Sequence, residues 1–116
     1  MANIRAQRVA SQLQQTISQI IQKELQNPIF TEQLVTVIDV RVSADLSVAK
    51  VYFSVLASKQ KQQEVMQALN EAKKFIRNEI ASRLNMRITP ELRFELDTLV
   101  EKGEKLIKLI DEVNDK

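Results

Sequence analysis

The 116-residue chain contains no cysteine, no histidine and no tryptophan. Without cysteine there is no disulfide and no thiolate metal site, which fits a reducing compartment. Without histidine, the commonest general base and the commonest metal ligand are both missing. Glycine occurs once, at Gly103, so no glycine-rich loop can cradle a phosphate group. Aromatics are scarce at 4%, which leaves little material for extended base stacking. No apolar run approaches the roughly 18–20 residues that cross a bilayer. The start, Met1-Ala2-Asn3-Ile4-Arg5, has no apolar signal segment. One small, soluble, cytoplasmic domain is expected, with a core large enough to fold without staples.

What is present is charge, unevenly spread. The net charge is only +2. Up to Asn27, Arg5, Arg8 and Lys23 face Glu24 alone. Between residues 71 and 93, Lys73, Lys74, Arg77, Arg83, Arg87 and Arg93 outweigh Glu71, Glu79 and Glu91. From Glu95 onward carboxylates outnumber lysines. This polarity suits one basic face for a polyanion and an acidic end elsewhere; plain solvated surface accounts for a net +2 equally well.

Periodicity gives the element order. Val9, Leu13, Ile17, Ile20 and Leu25 recur at helical spacing and predict a helix over 3–26, stopped by Asn27-Pro28. Residues 34–42 and 48–56 are rich in β-branched residues and alternate, predicting two antiparallel strands joined by the glycine-free turn Ser43-Ala44-Asp45. Residues 59–84 return to the helical period, with Val65, Leu69, Ala72, Phe75, Ile76, Ile80 and Leu84 as the expected buried stripe. That span is about twice the mean helix length of roughly 11–12 residues, so an internal kink is expected. Glu91 to Asp97 alternates strictly, with Leu92, Phe94 and Leu96 on one face. Thr98 and Glu101 match a capping box for a last helix. The predicted class is α+β, three strands against one layer of helices with the other sheet face open.

Catalytic constellations are weak. Asp39, Asp45, Glu91 and Asp97 are the carboxylates nearest strand ends, but no metal-binding motif accompanies them, and the serines and threonines have no histidine as base. Turn caps and solvated carboxylates are the favoured reading; no catalytic residue, metal or cofactor is expected. An RRM needs glycines and exposed aromatics that Lys50-Val51-Tyr52-Phe53 does not supply. The KH module is closer in architecture, although its GxxG loop is absent. On the long helix, Asn70, Lys73 and Arg77 share a face at spacings of three and four, with Lys74 and Asn78 beside them. This is either a phosphate-binding face or an ordinary amphipathic helix with a wet basic side.

Four stretches carry a resemblance. They are R-x-x-R-V-A-x-x-L-Q-Q-x-I-x-x-I-I-Q-K-E-L, V-R-V-S-A-D-L-S-V-A-K-V-Y-F-S, E-A-x-x-F-I-R-N-E-I-A-S-R-L-N-M-R-I-T-P-E-L-R-F-E-L-D and E-K-G-E-K-L. In this order and spacing the chain resembles the bacterial ribosome-binding factor A family over nearly its whole length. The resemblance implies a single type II KH-like domain of αββααβ order over 1–98, with a helical or partly disordered extension over 99–116. It implies a helix-kink-helix in place of the GxxG loop, with an alanine at the bend. Ala72 fits that alanine; Lys74 stands where the family often has glycine, and Leu99 where it often has serine. It implies a monomeric assembly factor that binds the small (30S) ribosomal subunit and its 16S rRNA, assists late rRNA maturation and supports growth in the cold. An assembly GTPase is a further candidate partner. Lys73, Lys74, Arg77 and Arg83 are the expected phosphate contacts, with Arg5, Arg8 and Arg87 secondary. The alternative is a protein-interaction or homo-oligomerising α+β module that binds no RNA, using its open sheet face or an edge strand.

Overall fold

Leu13, Ile17 and Ile20 lie on one side of a helix at spacings of three and four, and all three are fully buried. They belong to α1 (Ile4–Lys23) in a computed structural model that describes residues 4–97. The helix ends at Lys23, short of the predicted residue 26, and the last turn closes on Ile20, whose carbonyl accepts from Glu24 and Leu25. Asn27-Pro28 therefore does not stop α1. It starts a second, short helix, α2 (Ile29–Glu32). Pro28 has φ −58 and ψ −21, already helical, and the Asn27 side-chain oxygen accepts the Ile29 N–H. Phe30 from this turn enters the core.

The two alternating runs form β1 (Leu34–Val42) and β2 (Val48–Leu56), paired antiparallel. In β1, Val37 faces Phe53 and Asp39 faces Tyr52, so Ile38 is an extra residue, a β-bulge. The bulge explains why Val37 and Val40, three residues apart, both point into the core. Gln14 of α1 donates to the Val37 carbonyl beside it.

The β1–β2 turn holds without glycine because side chains replace the missing backbone freedom. Leu46 takes the left-handed region at φ 63. Asp45 accepts from the hydroxyls of Ser43 at 2.8 Å and Ser47 at 2.7 Å, and from the Ser47 N–H at 3.1 Å. Ser47 first and Ser43 second hold the Asp45 carboxyl down, from 3.8 to about 2. A folded value below the ordinary one means that the ionised turn stabilises the fold above about pH 4. That contribution is lost as pH falls toward 2. Asp45→Asn is therefore expected to lower Tm at neutral pH and to flatten its acid dependence between about pH 4 and 2. Melting curves that shift in parallel with the parent over that window would contradict this role.

After β2, Ser58 caps α3 (Lys59–Glu71), accepting the Lys61 N–H at 3.3 Å. Then α4 (Lys73–Leu84) follows, closed by Asn85 in the left-handed region at φ 50. The pair of helices carries the chain back across the sheet, so β3 (Glu91–Leu96) lies parallel to β2. The strand order is β1-β2-β3, with β2 central. One sheet face, through Val51, Phe53 and Leu92, packs under α1, α3 and α4, which contribute Ile17, Leu69 and Ile76. Phe53 and Phe94 meet edge to face at 5.3 Å. The other face stays open, with Lys50, Arg93 and Glu95 exposed and Tyr52 half-buried.

One expected core residue is displaced. Phe75 is 43% exposed, whereas Ile76 and Ile80 are fully buried. Ile76, Ile80 and Leu84 repeat every four residues and take the inner stripe of α4; Phe75 precedes Ile76 by one position, a turn of about 100° away from that stripe. The capping box at Thr98 and Glu101 and the extension over 99–116 lie outside the described residues.

Candidate nucleic-acid interface

The helix pair α3 and α4 meets at Ala72, which has φ −86 and ψ 0. This is the bridge between helical and extended backbone, open to any L-residue, so the bend needs no glycine. Nor does Lys74, which lies inside α4; Leu46 and Asn85 are the positive-φ positions among the described residues. Hydrogen bonding runs through the kink: Ala72 donates to Ala68 at 3.0 Å, and Ile76 donates to Ala72 at 2.9 Å. A small side chain at the bend lets the two helix axes diverge without a clash.

The divergence opens a groove of about 520 Å³ against the α4–β3 connection. Lys73, Lys74, Arg77 and Asn78 form its α4 wall, Asn70 and Glu71 its α3 end, and Thr89 the facing side. Arg77 donates to the Thr89 carbonyl at 2.8 Å, which holds the guanidinium across the groove. Pro90, buried directly after Thr89, anchors that facing side to the core. Lys73 is half-buried, and its ammonium sits 5.2 Å from the centre of the Phe94 ring. Lys74 is exposed and has no ion-pair partner among the described residues. The groove thus joins three fixed or free cations with two amides, donors of the kind that phosphate oxygens accept from, beside amides that can both donate and accept.

The other expected cations are placed elsewhere. Arg83 pairs with Glu24, just past α1, and with Glu79 one turn back at 3.3 Å. Its guanidinium ties α4 to the end of α1. Arg87 is exposed on the α4–β3 connection, and Arg5 and Arg8 are exposed in the first two turns of α1; none of the three lines the groove. Arg83→Gln is expected to cost about 1 kcal/mol of stability, as for a partly exposed ion-pair network. Binding of an RNA partner should change less than about threefold, because the guanidinium is held by two carboxylates and does not line the groove. Unfolding and binding titrations on the same variant check both numbers.

Sequence periodicity did not reveal the role of Thr89. Its signal was the following proline, which holds the preceding residue extended and its carbonyl outward. The strand-end carboxylates are occupied. Asp39 accepts from Arg41 at 3.1 Å and from the Val40 N–H at 2.9 Å, Asp45 closes its turn, and Glu91 accepts from Arg93 at 3.3 Å. Among the described residues no group of three or more acidic side chains gathers as a metal site, and no helix is long and apolar enough to cross a membrane.

The family described as ribosome-binding factor A matches residues 5–110. The chain belongs to the ribosome-binding factor A family. The ribosome-binding factor A of Staphylococcus carnosus (strain TM300) is 39% identical over 116 residues, which cover 100% of this chain and 99% of that relative. The crystal structure of ribosome-binding factor A from Thermus thermophilus superimposes with a TM-score of 0.66 at 28% identity, covering 78% of this chain and 93% of that one. A Thermus thermophilus ribosome binding factor A homology model, fitted into a cryo-EM map of a 30S complex, gives a TM-score of 0.63 at 29% identity. It covers 76% of this chain and 90% of its own. The fold is therefore the KH-like fold of that family, with the helix break at Ala72 where a KH module has its GxxG loop.

Proposed function

We propose that this chain binds the small ribosomal subunit by holding a segment of its rRNA in the groove beside Ala72. The observation that carries this reading is the convergence of Lys73, Lys74 and Arg77 on one groove with Asn70 and Asn78. The 30S complex of the Thermus thermophilus relative supports the same partner. Binding without catalysis is the activity proposed, and it assists late rRNA maturation, with the strongest effect on growth in the cold. The chain acts as a cytoplasmic monomer, and an assembly GTPase is a candidate for releasing it.

Cation–phosphate contacts release counterions, so affinity must fall as salt rises. For a single-stranded segment the slope of log K against log salt is roughly 0.7 per phosphate, or about 2 for three cations. Titration of the protein onto purified small subunits over a range of salt measures it. A slope near zero would sink the reading and favour protein–protein contact. One observation favours that second possibility: Leu34 and Leu56 pair across the strands at one end of the open sheet and are 62% and 61% exposed. An apolar contact there would be nearly insensitive to salt.

A further inference from the structure

Register places three cations in one line across the open face of the sheet. Arg41 of β1 stands opposite Lys50 of β2, and Lys50 stands opposite Arg93 of β3; all three are exposed. Like charges directly opposite on neighbouring strands destabilise a sheet, so the row costs the fold stability. The outer two are offset: Arg41 pairs with Asp39 at 3.1 Å, and Arg93 with Glu91 at 3.3 Å. Arg41 also lies 5.4 Å from the centre of the Tyr52 ring. Lys50, in the middle, has no ion-pair partner among the described residues. Beside it a hollow of about 230 Å³ opens against the β1–β2 turn, lined by Arg41, Val42, Ser43, Val48 and Lys50. None of these lining residues is acidic. The row faces away from the groove, since α1, α3 and α4 cover the other side of the sheet.

We propose that the row Arg41–Lys50–Arg93 is a second phosphate-binding surface, which takes the backbone of another rRNA segment while the Ala72 groove holds the first. This rests on the RNA reading above and adds a site on the opposite side of the sheet, so that one domain bridges two segments. A phosphate on Lys50 relieves the repulsion within the row and accepts from a neighbouring guanidinium as well. Surface pairs such as those to Asp39 and Glu91 are worth little, so a guanidinium exchanges its carboxylate for a phosphate at small cost. In the adjacent row Asp39 and Glu95 flank Tyr52 and repel an anion, which confines the backbone to the line of cations. An acidic peptide fits less well, because the exposed Leu34 and Leu56 that would anchor it lie about 20 Å along the strands from Lys50. With two segments on the same subunit, the second contact forms at high effective concentration and raises affinity.

Lys50→Glu in the full chain separates a binding role from a structural one. The new carboxylate stands between Arg41 and Arg93, so Tm should rise. Binding to purified small subunits should nonetheless weaken by about tenfold or more. The slope of log K against log salt should fall by at least about 0.7, the share of one phosphate. Lys50→Arg should keep both affinity and slope. Ultraviolet crosslinking of the parent to small subunits should give RNA adducts at Lys50 or Tyr52 in addition to those in the groove. A Lys50→Glu chain that binds as tightly as the parent, with the same slope, overturns the second site and leaves the groove standing. Weakened binding without RNA adducts on the sheet face of the parent also overturns it, and assigns the row to an acidic segment of a ribosomal protein. A lower Tm for Lys50→Glu overturns it too, because the row then holds the sheet together. A parent chain whose subunit binding ignores salt overturns both readings.

Discussion

Replacing Lys73, Lys74 and Arg77 together with glutamine is expected to weaken association with small subunits by about a thousandfold. Each charge-assisted contact to phosphate is worth about 1.4 kcal/mol or more, a factor of ten, and the three cations line one groove. The slope of log K against log salt should fall by about 2 in the same variant, because three phosphates no longer release counterions. Glutamine keeps a polar stem in each place but not the charge. The fold loses the contact between Lys73 and the Phe94 ring and the Arg77 bond to Thr89, together about 1–2 kcal/mol. A domain of this size has about 5–15 kcal/mol in hand, so the variant stays folded. Undiminished co-sedimentation of the folded variant would mean that the groove does not hold the subunit.

The largest effect on stability is expected from Phe53→Ala, at about 4 kcal/mol. Phe53 is fully buried on the central strand and meets Phe94 edge to face. Truncating a buried phenylalanine costs roughly 3–5 kcal/mol, through lost transfer energy and the cavity left behind. Loss of the ring pair adds to that, since such pairs are worth about 0.5–1.5 kcal/mol beyond buried area. Because Phe94 also seats Lys73, the damage should reach the groove: folded Phe53→Ala protein is expected to bind small subunits several-fold less well. Urea unfolding reads the stability, and a midpoint shift equivalent to less than about 1 kcal/mol would show that the core re-packs around the gap.

The strands were legible because their alternation is dictated by a sheet with one buried face. Residues 34–42 and 48–56 form β1 and β2 over the predicted spans. The bulge at Ile38 was hidden because isoleucine extends an apolar run whether it faces in or out. The apparent proline stop misled for a related reason: proline disfavours the helix before it and favours the one after it, and only packing decides which dominates. Here Phe30 needed a place in the core, and α2 provides it. Phe75 is apolar and close to the helical period, so the pattern alone puts it inward. The choice between Phe75 and Ile76 depends on the phase of α4 after the Ala72 break, which the sheet sets and the local sequence does not. In the site, the cations on α4 could be read from their spacing. The neutralisation of Arg83 by Glu24 could not, because that pair joins helices far apart in the chain.

The central claim is that the groove at the Ala72 kink holds small-subunit rRNA. Zero-length ultraviolet crosslinking of the intact protein to purified small subunits, followed by mapping of the attached peptides, tests it most directly. The account predicts RNA adducts within residues 70–78, on the residues that line the groove. Adducts confined to the open sheet face around Tyr52 and Lys50, with none on α4, would contradict it.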